Sequence, residues 1–185
     1  LHVLGDGGFI ITNKKKYYEK LIKLRNHGHT SRELIDSFGF NSRLDSLQAA
    51  YANIMLEDYS NWQKKINRIA KLYNEKIVNK VTKPIVNSNT KHVYHNYILT
   101  TKFRNKFKNY LKKNGIETRI HYPFAIHKQK IFIKTFGKIN LPNTERLSRQ
   151  IISLPIYPEL NIKNVKFIIK TINKFFNYKL KNKIS

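Results

Sequence analysis

The stretch Thr118-Arg119-Ile120-His121-Tyr122-Pro123 concentrates side chains that could bind an anionic or hydroxyl-rich ligand. It places a guanidinium, an imidazole and a phenol around the end of a predicted strand, and His127 follows shortly after. A guanidinium pairs with phosphate or carboxylate oxygens, and imidazole and phenol groups bind hydroxyls or phosphates. From the spacing alone, a ligand-binding loop and a loop whose polar groups face water are equally good interpretations.

The seven histidines raise the question of a metal site. They include three close pairs: His27 and His29, His92 and His95, and His121 and His127. None of these pairs stands in an HExxH-like frame, and few acidic residues lie nearby to complete a ligand set. Cysteine is absent, which excludes disulfides and thiolate metal sites. The sequence therefore does not favour a metal.

Two glycine-containing segments could contact phosphate. Gly5-Asp6-Gly7-Gly8 lacks the dinucleotide-binding and Walker patterns and leads into a predicted strand over 9–12, so a tight turn is the better interpretation. Gly39-Phe40-Asn41-Ser42-Arg43-Leu44-Asp45 precedes a predicted helix. Asn41 or Ser42 could cap that helix, or the backbone N–H groups there could receive a phosphate. Capping is the commoner role for such a segment.

The elements that must position these residues follow from hydrophobic periodicity. Helices are predicted over 17–24, 63–78, 103–114, 144–152 and 165–176, with another that starts at Leu44 and bends or breaks near Ser60-Asn61. Strands are predicted over 9–12, 93–99 and 116–120, and 82–90 is the best linker candidate. A strand–helix–strand unit followed by helices indicates a small α/β layer.

Composition narrows the class of protein. The chain has 185 residues, 41% of them apolar, and a formal net charge of +25. A polyanion-binding module is one hypothesis, but 28 of the 36 basic residues are Lys and only 8 are Arg, whereas base readout and bidentate phosphate binding favour Arg. We therefore expect a solvated basic surface and no nucleic acid. No apolar run approaches the roughly 18 residues of a membrane span, and no signal pattern is visible, so a cytoplasmic protein is expected.

Seven segments, in order, resemble the DegT/DnrJ/StrS-type sugar aminotransferases. They are LGDGGFIITN, LRNHG, GFNSRLDSLQAA, AKLYNE, HVYHNYIL, NGIETRIHYPFAIHKQ and LSRQIISLPIYPEL. The resemblance runs from Leu1 to about Phe176. It implies an α/β protein, the C-terminal part of a fold-type I transferase that depends on pyridoxal 5'-phosphate (PLP). It also implies transfer of an amino group, commonly from glutamate, to a nucleotide-linked keto sugar in polysaccharide or glycoside biosynthesis.

The resemblance also implies where the reactive lysine lies. In the family, the Schiff-base lysine precedes the LGxxGDGG stretch, which places it about two residues before Leu1. The chain has no initiator Met, and no catalytic residue is expected within it. We expect the chain to be inactive alone. Lysine-lacking relatives that dehydrate sugars stay an open alternative, because the diagnostic position lies outside this sequence.

The remaining site residues are assigned by the same resemblance. Residues 1–58 would be the tail of the large PLP-binding domain, and 59–185 the small C-terminal domain. Asn41 would reach the cofactor phosphate of the neighbouring subunit in a homodimer. The substrate-binding residues would border the sugar-nucleotide site, and they are Arg119, His121, Tyr122 and His127.

Overall fold

The computed structural model describes residues 3–181 of the chain, so Leu1, from which the position of the reactive lysine is counted, lies outside the described residues. The helices are α1 Lys15–Leu24, α2 Ser46–Lys76, α3 Arg104–Lys113, α4 Lys130–Phe136, α5 Pro142–Gln150 and α6 Ile162–Lys181. The strands are β1 Tyr97–Thr100 and β2 Ile151–Leu154, and a 3-10 turn covers Ile126–Lys128. The chain divides into two units, Leu1–Ser60 and Asn61–Ser185, and the division falls within α2.

The first unit contains α1, an irregular segment that folds back on the end of α1, and the start of α2. The predicted strand over 9–12 is wrong. These residues have irregular backbone, and Phe9, Ile10 and Ile11 are exposed. A strand needs a partner to take up its backbone N–H and C=O groups, and the described residues offer none to this segment.

The predicted break near Ser60-Asn61 does not occur, because α2 continues unbroken from Ser46 to Lys76. Ser and Asn lower helix propensity by only a few tenths of a kcal/mol, whereas a proline would remove a backbone donor and clash with the preceding turn. The helix contains neither proline nor glycine. Ile69, Ala70 and Tyr73 on one face of its second half are buried in the core of the second unit.

The second unit is organised around an antiparallel pair of strands. Tyr97 lies opposite Leu154 and Ile98 lies opposite Ser153. The predicted helix over 144–152 therefore ends two residues early, because Ile151 and Ile152 enter β2 and gain a pairing partner. Helix α4 was not predicted from the periodicity.

The other edge of β2 is occupied by the segment that carries Arg119. The predicted strand over 116–120 is reduced to one antiparallel bridge, in which the Ser153 N–H donates to the Arg119 carbonyl at 2.8 Å and the Arg119 N–H donates back at 3.3 Å. Because strand β1 and this segment flank β2, Ser153 lies between the two.

Helices α2, α3 and α6 cover the strands and form the core. The predicted apolar stripe of α6 is confirmed, and all its members are buried: Val165, Ile168, Ile169, Ile172, Phe175 and Phe176. Two buried tyrosines keep their hydroxyls paired, Tyr73 to the Pro155 carbonyl at 2.9 Å and Tyr97 to the Asn74 amide oxygen at 2.7 Å. Burial raises the pKa of both phenols above the ordinary value. Among the described residues, no helix is long and apolar enough to cross a membrane.

Candidate functional site

A cavity of about 730 Å³ opens in the second unit beside β2 and the start of α6. Most of its polar wall comes from three segments that are far apart in sequence: the residues before β1, the segment 115–121, and β2 itself. The polar side chains of these segments that line the cavity are His95, Asn96, Glu117, Thr118, Arg119, His121 and Ser153. The rest of the wall is formed by Tyr157 and Asn164 and by apolar groups including Ile116, Leu160 and Phe167. A cavity of this size, with convergent polar groups on an apolar wall, is typical of a small-molecule site.

Arg119 and His121 both line this cavity, and both are held by β2, Arg119 through its backbone and His121 through its side chain. The backbone bridge from Arg119 to Ser153 holds the first residue, and the His121 Nδ1 lies 2.9 Å from the Ser153 hydroxyl oxygen. Ser153 is itself buried. The Arg119 guanidinium and the half-buried His121 imidazole therefore face a shared cavity, whose lining also includes Glu117, and the guanidinium could pair with an anionic group of a ligand.

Tyr122 and His127 lie elsewhere, although the sequence grouped them with Arg119 and His121. Tyr122 is 73% exposed and does not line the cavity. The His127 side chain is only 3% exposed, and its Nε2 lies 3.2 Å from Glu145 Oε1. No observation tests the substrate-binding role of the four residues, which stays a prediction.

Glu145 on α5 collects the polar contacts around His127. Its Oε1 also accepts from Lys128 Nζ at 2.9 Å and from the Leu141 N–H at 3.4 Å. These hydrogen bonds, first from Lys128 and then from His127, lower the pKa of Glu145 to about 2. The carboxylate therefore stays ionised at neutral pH, and its contribution to stability is lost only as the pH falls from the ordinary carboxyl range towards 2.

Asn41 lies on the surface of the first unit, held by a backbone reversal. Residues 39–42 return along the end of α1, where the Phe40 N–H donates to the Leu24 carbonyl at 2.7 Å and Asn41 bridges Asn26. Arg43 Nε donates to Asn41 Oδ1 at 3.1 Å. Asn41 is exposed, and a neutral amide can donate its N–H groups to a phosphate oxygen.

Two glycines make this reversal possible. Gly28 has a φ of +80°, and a Cβ there would lie 1.7 Å from the Ser37 carbonyl oxygen. A Cβ on Gly39 would lie 2.3 Å from the Gly28 nitrogen. Any side chain at either position would push the two backbone segments apart, so the LRNHG and GFNSR motifs are packed backbone to backbone. The close approach of these two backbone segments therefore determines where Asn41 lies.

Two further histidines have local hydrogen-bond partners. The His29 Nδ1 lies 3.1 Å from the Ser31 carbonyl oxygen, and His92 Nδ1 accepts from the Tyr94 N–H at 2.8 Å. Within residues 3–181, no group of three or more His, Cys, Asp or Glu side chains could hold a metal ion.

Sequence reasoning missed Ser153, His95 as a cavity residue, and Glu145. Ser153 is 32 residues from His121, and only strand pairing brings the two together. The sequence places His95 in a histidine pair with His92 and in the HVYHNYIL segment, and neither pattern indicates a cavity. Glu145 carried one available signal, since it stands in the first turn of a helix that begins with Pro142, but nothing in its spacing indicates His127 as its partner.

Comparisons with known proteins agree with this architecture. A model of the DegT/DnrJ/EryC1/StrS aminotransferase family matches residues 1–173. The dTDP-3-amino-3,6-dideoxy-alpha-D-galactopyranose transaminase of Aneurinibacillus thermoaerophilus is 36% identical over 91% of this chain and 47% of its own length. The UDP-N-acetyl-3-dehydro-alpha-D-glucosamine 3-aminotransferase of Acidithiobacillus ferrooxidans is 31% identical over 94% of this chain and 47% of its own length. The chain thus spans about half the length of the curated relatives it matches.

Solved structures show the same relationship. The structure of S. venezuelae DesV superimposes with a TM-score of 0.85 and 27% identity, covering 90% of this chain and 46% of that one. An aminotransferase of the same family from Brucella abortus gives a TM-score of 0.84 with 28% identity, covering 89% of this chain and 45% of that one. The predicted α/β fold, as a partial fold-type I domain, is confirmed. The family match covers nearly the whole sequence and the solved relatives share the described fold, so the chain belongs to the DegT/DnrJ/EryC1/StrS aminotransferase family.

Proposed function

We propose that these residues form the C-terminal part of a cytoplasmic, PLP-dependent enzyme that transfers an amino group, from glutamate, to a nucleotide-linked keto sugar. The sugar would serve polysaccharide or glycoside biosynthesis. The observation that carries the proposal is the family match over residues 1–173, together with relatives named as transaminases of dTDP- and UDP-linked sugars. The cavity bordered by Arg119 and His121 would place such a substrate beside the Arg119 guanidinium.

The proposed division of labour assigns residues 1–58 to the tail of the large cofactor domain and 59–185 to the small domain. Burial supports this assignment. Among the described residues, every buried apolar side chain lies at Ile69 or later, whereas Phe38, Phe40 and Leu47 in the first unit are exposed. A unit that buries no apolar side chain of its own has little to stabilise it without further polypeptide packed on it. The part of the relatives that this chain does not span is the proposed cover.

The residues present fit one end of the cofactor. Asn41, its amide oxygen held by Arg43, offers neutral N–H donors, and the Arg43 guanidinium adds a positive charge next to it. That donor set suits a phosphate. In the proposed homodimer, Asn41 reaches the phosphate of the cofactor in the neighbouring subunit. PLP, when bound, supplies the electron sink for amino transfer.

The other end of the cofactor requires residues outside this sequence. The resemblance places the reactive lysine before Leu1, so we propose that the chain alone does not catalyse amino transfer. Its own contribution is to bind and orient. Arg119 and His121 hold the anionic part of the sugar nucleotide, and Tyr122 and His127 belong to the loop that borders it.

Nucleotide binding to the cavity tests this proposal without requiring catalysis. UDP and dTDP are titrated into the full chain by calorimetry, and the Arg119→Met variant is compared with wild type. Loss of one charge-assisted contact to phosphate should weaken binding about 10- to 100-fold.

Arg68→Met is the matched control, because Arg68 is exposed on α2 and does not line the cavity, yet its loss changes the net charge equally. Equal weakening by both variants would show attraction to the general positive charge of the chain, and would count against a nucleotide site at Arg119.

A further inference from the structure

The loop 121–128 is attached to one continuous piece of structure at both of its ends. Helix α5 ends at Gln150 and β2 begins at Ile151 without an intervening loop. The start of the loop contacts β2 through His121 and Ser153, and its end contacts α5 through His127, Lys128 and Glu145. The loop 121–128, called the strap below, therefore contacts the continuous segment α5–β2 at both of its ends.

Hydrophobic packing contributes little to holding the strap. Its large apolar side chains are directed outward, since Tyr122, Phe124 and Ile126 are 73%, 72% and 75% exposed. The side chains that it buries are Ala125 and His127. Because a buried methyl group fixes a backbone only weakly, the polar contacts at the two ends decide where the strap lies.

The contact with Glu145 is the stronger of the two attachments. Glu145 Oε1 accepts hydrogen bonds from the imidazole of the buried His127 at 3.2 Å and from the ammonium of Lys128 at 2.9 Å. Hydrogen bonds to an ionised acceptor are about twice as strong as neutral ones, whereas the His121–Ser153 pair joins an imidazole to a hydroxyl. Removing Glu145 would also leave His127 buried without its acceptor.

We propose that Glu145 is a positioning residue for the cavity. Glu145 holds His127 and Lys128, and it thereby fixes the strap that presents His121 to a ligand. His127 acts in this arrangement through the strap, from a buried position outside the cavity. The inference rests on the proposed function for the identity of the ligand, but the fixing of the strap is measurable without any ligand.

Hydrogen–deuterium exchange on the full chain tests the fixing directly. In Glu145→Ala, exchange within 121–128 should rise about tenfold or more at the Lys128 amide, whose N–H donates to the Ala125 carbonyl at 3.0 Å, the factor expected when one charge-assisted hydrogen bond is lost. Exchange in the core helix α6 should stay at the wild-type rate. Glu145→Gln keeps the size and one acceptor oxygen, so it should give a smaller rise confined to the same peptides, and it decides the question if the alanine variant does not fold.

Glu75→Gln is the matched control, because Glu75 forms an exposed ion pair with Lys71 on α2 and has no contact with the strap. UDP affinity is measured on the same samples and should fall with the rise in exchange at 121–128, and not in the control. Unchanged exchange at 121–128, or a rise spread evenly over the second unit, would overturn the inference. If wild type binds no UDP, the proposed nucleotide site fails, and the exchange result still decides whether Glu145 fixes the strap.

Discussion

Tyr73 and Tyr97 make the second unit sensitive to alkaline pH in a way that can be calculated. Both side chains are fully buried, and both phenols have a folded-state pKa raised above the ordinary 10.0, first by desolvation and then by neighbouring tyrosines. A tyrosine whose pKa is raised by folding contributes stability that is fully present below the unfolded-state pKa. That contribution is lost as the pH rises from the unfolded-state pKa towards the folded-state pKa. Stability should therefore fall above pH 10.

The magnitude follows from linkage. At pH 11 the unfolded chain gains about 1.4 kcal/mol from ionisation of each tyrosine, while the folded state keeps both phenols neutral. Together, Tyr73 and Tyr97 should remove about 2.8 kcal/mol of unfolding free energy between pH 9 and pH 11. In Tyr73→Phe, the loss of unfolding free energy between pH 9 and pH 11 should be smaller by about 1.4 kcal/mol. The variant should also be less stable than wild type by about 1 kcal/mol at pH 9, because the Pro155 carbonyl loses its hydrogen-bond donor.

Urea unfolding at pH 9 and pH 11 measures these quantities, followed by the fluorescence of Trp62, the single tryptophan of the chain. Tyr178→Phe is the control, since Tyr178 on α6 is 62% exposed and should leave the pH dependence unchanged. Comparing variants cancels the titration of the many lysines, which is common to all of them. If Tyr73→Phe loses as much stability between the two pH values as wild type, Tyr73 ionises equally in both states and the reasoning is refuted.

Two further predictions concern the first unit and the missing chemistry. Gly28→Ala should raise amide exchange over 24–43, because the new Cβ meets the Ser37 carbonyl. Gly115→Ala is the control: its φ of +73° is similar but the space around it is open, so the change should cost only about 1 kcal/mol of strain and leave exchange over 24–43 unchanged. Equal exchange over 24–43 in the two variants would contradict the proposed backbone packing. PLP added to the chain, reduced with borohydride and mapped by peptide, should give scattered substoichiometric lysine labelling, and a single stoichiometric adduct accompanied by amino transfer would refute the proposed inactivity of the chain alone.

Local sequence patterns predicted the helices better than the strands. The stripe of α6 repeats at helical spacing and packs as predicted, because a long apolar face can be buried in only one way. The segments 9–12 and 116–120 have strand-like composition, yet neither forms an extended strand. A strand depends on a partner elsewhere in the chain, and Ile151–Leu154 shows the converse, since residues at the end of a helical pattern became a strand once β1 lay beside them.

The sequence by itself determined the family, through an ordered series of motifs, and it singled out Arg119 and His121 as groups that could bind an anion. Only the tertiary structure separated these two from Tyr122 and His127, because which side of a loop faces a cavity depends on what the loop packs against. The pairings of His121 with Ser153 and of His127 with Glu145 span 32 and 18 residues. Such contacts have no periodicity along the chain, so they exist only once β2 and α5 have brought their partners within hydrogen-bonding distance.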